Sequence, residues 1–106
     1  MKFDIDEILS QMLVAIKDEV RDNWGLIKGN ANTYLQNRKG RLELLTSLRI
    51  ANEIKEEFFQ KSLKDERKIL ESELHSIAIV SKSIAQKAAN AAIEVLQDAV
   101  GRLIKI

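Results

Sequence analysis

The only histidine of the chain, His75, lies in the stretch KILESELHSIAIV, with Glu71 four residues before it and Glu73 two before it. On a helix the i, i+4 spacing puts Glu71 and His75 on one face, where an imidazole and a carboxylate can hydrogen-bond or ligate a divalent metal together. Further carboxylates stand at Glu53, Glu56 and Glu57 and, nearer the amino end, at Asp18, Glu19 and Asp22. One reading of these residues is thus a metal-carboxylate helical bundle with Glu71, His75, Glu53, Glu56 and Glu57 as ligands.

The spacing argues against that reading. Ferritin-like bundles take one Glu from each of two helices and a Glu-x-x-His pair from each of the other two. Neither Glu71 nor Glu73 makes Glu-x-x-His with His75, and sixteen acidic residues on helices produce i, i+4 pairs by chance. The simpler expectation is a histidine beside a helical seam, with no metal and no cofactor. Other catalytic patterns are thinner still. The chain has one His and no Cys, and Ser76, Ser81 and Ser83 fall within helical patterns rather than on a strand-to-helix elbow. The glycines follow no strand, so neither a dinucleotide fingerprint nor a phosphate loop is present. An enzyme is not expected.

Arg38, Lys39 and Arg41, with Arg49 two turns further on, could touch phosphates, which makes a nucleic-acid accessory protein a further alternative. The same cluster fits a basic helix terminus followed by a new start. Seventeen Lys and Arg against sixteen Asp and Glu leave a net charge of +1, spread without an acidic or basic tail. Such a chain has little field to draw in a polyanion.

A length of 106 residues fits one domain. Without cysteine there is no disulfide framework and no thiolate metal site. The amino end, MKFDIDEILS, carries acids where a signal peptide carries bases, so a cytoplasmic protein is the expectation. The most apolar window, from Ile77 to Leu96, is interrupted by Lys82, Lys87 and Glu94, which argues against a membrane span.

The elements that must position these residues read as helices throughout. Proline is absent, and the glycines stand only at 25, 29, 40 and 101. Asp4 or Asp6 can cap helix 1, about residues 4–23, whose stripe is Ile5, Leu9, Met12, Ile16 and Val20. Residues 24–32 are rich in Gly and Asn and read as a loop or hinge, although the stripe can also be continued as an interrupted helix through Trp24, Ile27, Ala31 and Tyr34. NRKG at 37–40 reads as a second turn. Helix 2 then runs over about 41–63 and helix 3 over about 65–100, and the two may be read as one. If unbroken, they form a rod of about 90 Å that the other forty residues cannot cover.

Helix 3 bears two packing stripes. One is the heptad seam Leu70, Leu74, Ile77, Ser81, Ile84, Ala88, Ala91 and Val95; the other is Ala78, Ser81, Ala85, Ala88, Ala92, Leu96 and Ala99. The expected fold is all-α, an elongated antiparallel helical hairpin or three-helix bundle completed by oligomerisation. The expected function is a non-enzymatic structural or protein-interaction bundle, a coiled-coil-like homo-oligomer or the partner of another helical protein. Its interface is expected at Leu70, Leu74, Ile77, Ile84, Ala88, Ala92 and Val95, with Phe58 and Phe59 as an apolar pair beside it. On that reading, replacing Ile84 or Ala88 with Glu dissociates or unfolds the protein.

Overall fold

The computed structural model describes residues 4–76 and 80–104, all-helical with no strand among them. Four α-helices form it: α1 (Ile5–Val20), α2 (Trp24–Ile50), α3 (Glu56–His75) and α4 (Lys82–Leu103), with a short 3-10 turn, Arg21–Asn23, between the first two. Side-chain pairs give the directions. Lys39 reaches Asp6, Arg38 reaches Glu66, and Gln97 reaches Gln60, so each helix runs antiparallel to the one before it. This is the up-down-up-down bundle. Its extents are 42 × 23 × 21 Å, and α2, 27 residues or about 40 Å long, spans the long axis.

Helix 1 follows its stripe. Asp4 caps it, accepting from the N–H groups of Asp6 and Glu7, and Ile5, Leu9, Met12, Ile16 and Val20 are all buried. The later boundaries differ from the expectation. The Gly/Asn-rich segment 24–32 and the NRKG segment are both inside α2. Their glycines have helical φ, and Ile27, Ala31, Tyr34 and Leu35 supply enough burial on the other side to outweigh the weak propensity.

The reversal that was expected at Gly40 occurs at Asn52. This residue is left-handed, at φ 59°; its N–H donates to the carbonyl of Arg49, while that of Glu53 donates to Leu48. That is a Schellman motif with asparagine in the position glycine usually takes. Arg49 braces it by donating to the Ile54 carbonyl and pairing with Glu56. The helix expected over about 41–63 is therefore broken by a turn. Helix 3 ends at His75, and Ser81 caps α4 by accepting from the Ile84 N–H. Residues 65–100 are thus two helices, and the 90 Å rod is replaced by a folded-back bundle.

This changes what covers the alanine stripe. Ala85, Ala88, Ala92, Leu96 and Ala99 are buried, with α4 packed chiefly against α1 and α3 of the same chain. Small side chains there let neighbouring helix axes come close. One chain supplies the cover that was expected from a partner.

Candidate interaction surface

The metal reading requires acids from another helix beside His75. Helix α3 begins at Glu56, so Glu56 and Glu57 share a helix with His75 at its opposite end, about 27 Å away at the helical rise. Glu53 lies in the preceding turn. Glu71 faces Arg67 at 3.9 Å, and the His75 Nδ1 lies 3.3 Å from the carbonyl of Val80. Among the described residues no three His, Cys, Asp or Glu side chains converge as a metal site. The proposed ligands are not brought together.

The basic cluster faces the chain's own acids. Arg38 forms a two-pronged pair with Glu66, through Nε at 2.8 Å and a second, short contact; Arg41 Nε reaches the same carboxylate at 3.2 Å. Lys39 pairs with Asp6 at 2.7 Å. The Glu66 side chain is 2 % exposed, against 30 % for Arg38 and 52 % for Arg41, so a buried carboxylate is met by two cations that keep a route to water. Tyr34 completes the group by donating to the Glu66 backbone carbonyl at 3.1 Å. Burial, and then the Glu66 charge, push the Tyr34 hydroxyl above its ordinary range. The hydrogen bond to Glu66 holds Arg38 more firmly protonated. The group ties α3 to α2 at this level of the bundle. Glu66 was visible in the sequence only as a charge interrupting an apolar stripe, the signal that could have singled it out.

The expected interface positions divide four ways. Leu70, Leu74, Ala88, Ala92 and Phe59 are buried in the chain's own core; Ile84 and Val95 are half-buried against it. Ile77 lies outside the described residues. Phe58 is exposed, so the aromatic pair splits between core and surface. The buried five cannot also face a partner in this fold, and Ala88→Glu becomes an unfolding substitution rather than a dissociating one.

A surface groove of about 500 Å³ runs between α3 and α4, with Leu63 and Ile93 in its lining. Its rims are tied together by Gln97 to Gln60 and Arg67 to Asn90. Lys64 and Glu94 add opposite charges, a mixture that selects for no one class of ligand.

The outer face of α2 is different. At alternating steps of four and three, Leu26, Asn30, Thr33, Asn37, Gly40, Leu44 and Ser47 form a seam, and every one is exposed. Leu26 is 67 % and Leu44 57 % exposed, and between them no seam position carries a charge, in a chain that is 31 % charged. Gly29 and Gly40 lie on or beside the seam. Neither has positive φ, and a Cβ on either would meet nothing within 4 Å. Each therefore weakens the helix by about 1 kcal/mol relative to alanine with no return inside the chain. Among the described residues the expected stripes face mostly inward; this heptad was missed because, apart from its two leucines, its members are small and polar. No family model matches the chain, and neither the curated proteins nor the solved structures yield a match.

Proposed function

We propose that the protein is a non-enzymatic structural module that self-associates, with a helical surface rather than a reaction centre as its working part. The outer face of α2 supports this reading: two well-exposed leucines five turns apart, joined by an uncharged heptad seam. Solvated helix faces usually carry mixed charge, and seven positions without any are the composition of a face that meets another helix. The seam expected at residues 70–95 is taken up within the chain, so the association moves to α2. A cytoplasmic setting belongs to the same proposal, and no helix among the described residues is long and apolar enough to cross a membrane.

Sedimentation equilibrium over a wide concentration range tests it. The expected result is a mass rising from the 12.1 kDa of one chain toward a multiple of it. A mass that stays at the single-chain value into the millimolar range refutes self-association.

A further inference from the structure

We infer that α1 is an exchangeable arm: the connection at Arg21 straightens, and α1 of one copy takes the α1 site in the core of a second copy. The exchange goes beyond the self-association proposed at the outer α2 face, because it uses the surfaces of the chain's own core.

The connection between α1 and α2 turns the chain with no loop and no glycine. Helix α1 ends at Val20, the 3-10 turn covers Arg21–Asn23, and α2 begins at Trp24. Val20, Asn23 and Trp24 all have helical dihedral angles. The reversal falls on Arg21, at φ 51° and ψ −113°, the setting of the first central residue of a type II′ turn. Glycine takes that setting freely. A residue with a Cβ holds it under strain, and such strain persists only where the surrounding structure imposes it. The other described non-glycine residue with positive φ, Asn52, is of a type that tolerates it and is braced by Arg49. Arg21 has neither advantage: it is exposed, neither Val20 nor Asn23 makes a side-chain cap beside it, and no ion pair holds it among the described residues.

Burial is what imposes the strain. Ile5, Leu9, Met12, Ile16 and Val20 are buried, and α1 packs more extensively on α4 than on α2. Those contacts hold α1 in its site whichever chain supplies it. The sequence meanwhile runs on as a helix through the break: Val20, Trp24, Ile27, Ala31 and Tyr34 follow at steps of four and three, so one apolar face continues from α1 into α2. With Arg21 helical, residues 5–50 form a single helix of about 69 Å. Two such helices, antiparallel about a two-fold axis at the hinge, return each α1 to the flank of an α2, now that of the other copy. The contacts of α1 with α2 and α4 are rebuilt between chains, Lys39 to Asp6 among them, while the strained residue relaxes. Short hinges under strain favour this exchange.

The Lys39 ammonium lies 2.7 Å from the Asp6 carboxylate, so a zero-length carbodiimide couples the two and records which chain supplied α1. Unlabelled and nitrogen-15-labelled chains are mixed in urea, refolded together at high concentration and separated by size. In the dimer fraction about half of the coupled Lys39–Asp6 peptides should join a light chain to a heavy one, as random pairing requires, and in the monomer fraction none should. Arg21→Gly relieves the closed form and weakens the open helix, so the dissociation constant of the exchanged dimer should rise about a hundredfold. Arg21→Ala keeps a Cβ at the hinge and should leave that constant within about threefold of the parent's. The light-to-heavy couplings should survive Leu44→Glu on the outer α2 face.

A dimer fraction whose couplings all lie within single chains would overturn the exchange and leave self-association through the α2 face standing. Exchange that Arg21→Gly leaves undiminished would overturn Arg21 as the hinge. A monomer at every concentration would overturn both the exchange and the self-association.

Discussion

The buried Glu66 group makes an asymmetric prediction about stability. Arg38→Ala removes both prongs of the pair and leaves a carboxylate, 2 % exposed, with only the half-exposed Arg41 at 3.2 Å. Breaking a buried pair from one side costs about 3–5 kcal/mol, and the remaining arginine sets the expectation near the lower end, about 3 kcal/mol. Glu66→Met does the opposite: it removes the buried charge and fills the space with a flexible apolar chain. Arg38 and Arg41 can turn to water, and the Tyr34 hydrogen bond survives because its acceptor is the backbone. This variant should lie within about 1 kcal/mol of the parent.

Urea unfolding separates the two, followed by circular dichroism and by the fluorescence of Trp24, the single tryptophan. With a slope of about 1.5–2 kcal/mol per molar, the Arg38→Ala midpoint should fall by about 1.5–2 M, and that of Glu66→Met by less than about 0.7 M. Equal losses, or a larger one for Glu66→Met, would show that the ion pair is a net source of stability and refute the reasoning from desolvation.

Tyr34 is the only tyrosine, so near-ultraviolet absorbance reports it alone. Its hydroxyl is raised above the ordinary value of 10.0, so the folded state binds that proton more tightly than the unfolded chain. The associated stability is complete below pH 10 and declines as pH rises toward the folded value. Tyrosinate absorbance should appear together with loss of helix, and a titration near pH 10 in the intact fold would contradict the burial. Gly40→Ala should stabilise the isolated chain by about 1 kcal/mol in thermal melts at low concentration, since the added methyl meets open space. Asp4→Ala should cost about 1 kcal/mol by leaving the Asp6 and Glu7 N–H groups uncapped. Ala92→Leu should cost about 1–3 kcal/mol, because its position is wholly buried among packed helices.

What the sequence made legible was the inward-facing pattern. The stripe of α1 is buried residue for residue, and the alanine stripe of α4 marks a helix packed against more than one neighbour. Turns were harder, for a physical reason. Glycine is permissive rather than directive, so Gly25, Gly29 and Gly40 sit within a helix whose other side is well buried. Asn52, flanked by nothing distinctive, takes the left-handed turn because its polar side chain tolerates it and Arg49 braces the corner. Placing the breaks at 37–40 and near 64, instead of at 51–55 and between α3 and α4, merged the last two helices into one, and from this the need for an outside partner followed. The ion group was present in pieces. Arg38 and Arg41 were read as a basic helix terminus or, alternatively, as phosphate contacts, and nothing marked Glu66 as their partner, because pairing across 25 to 28 residues depends on where the chain turns.

The two unusual features of α2 account for each other. One side of it is buried in the core, and along its length it is also tied by ions: Lys39 to Asp6 of α1, Arg38 and Arg41 to Glu66 of α3, and Arg49 to Glu56 beyond the turn. Charge pairs with good geometry fix position more than they add stability. A helix held by such ties can keep its register while three glycines and a run of small polar residues occupy positions that stronger helix formers would otherwise fill. The outer seam is then free to be uncharged and shallow without the bundle losing its place. Substituting the glycines with alanine should therefore raise the stability of one chain and lower the affinity of two. A set of Gly29→Ala and Gly40→Ala variants in which both quantities rose together would separate the seam from any role in association.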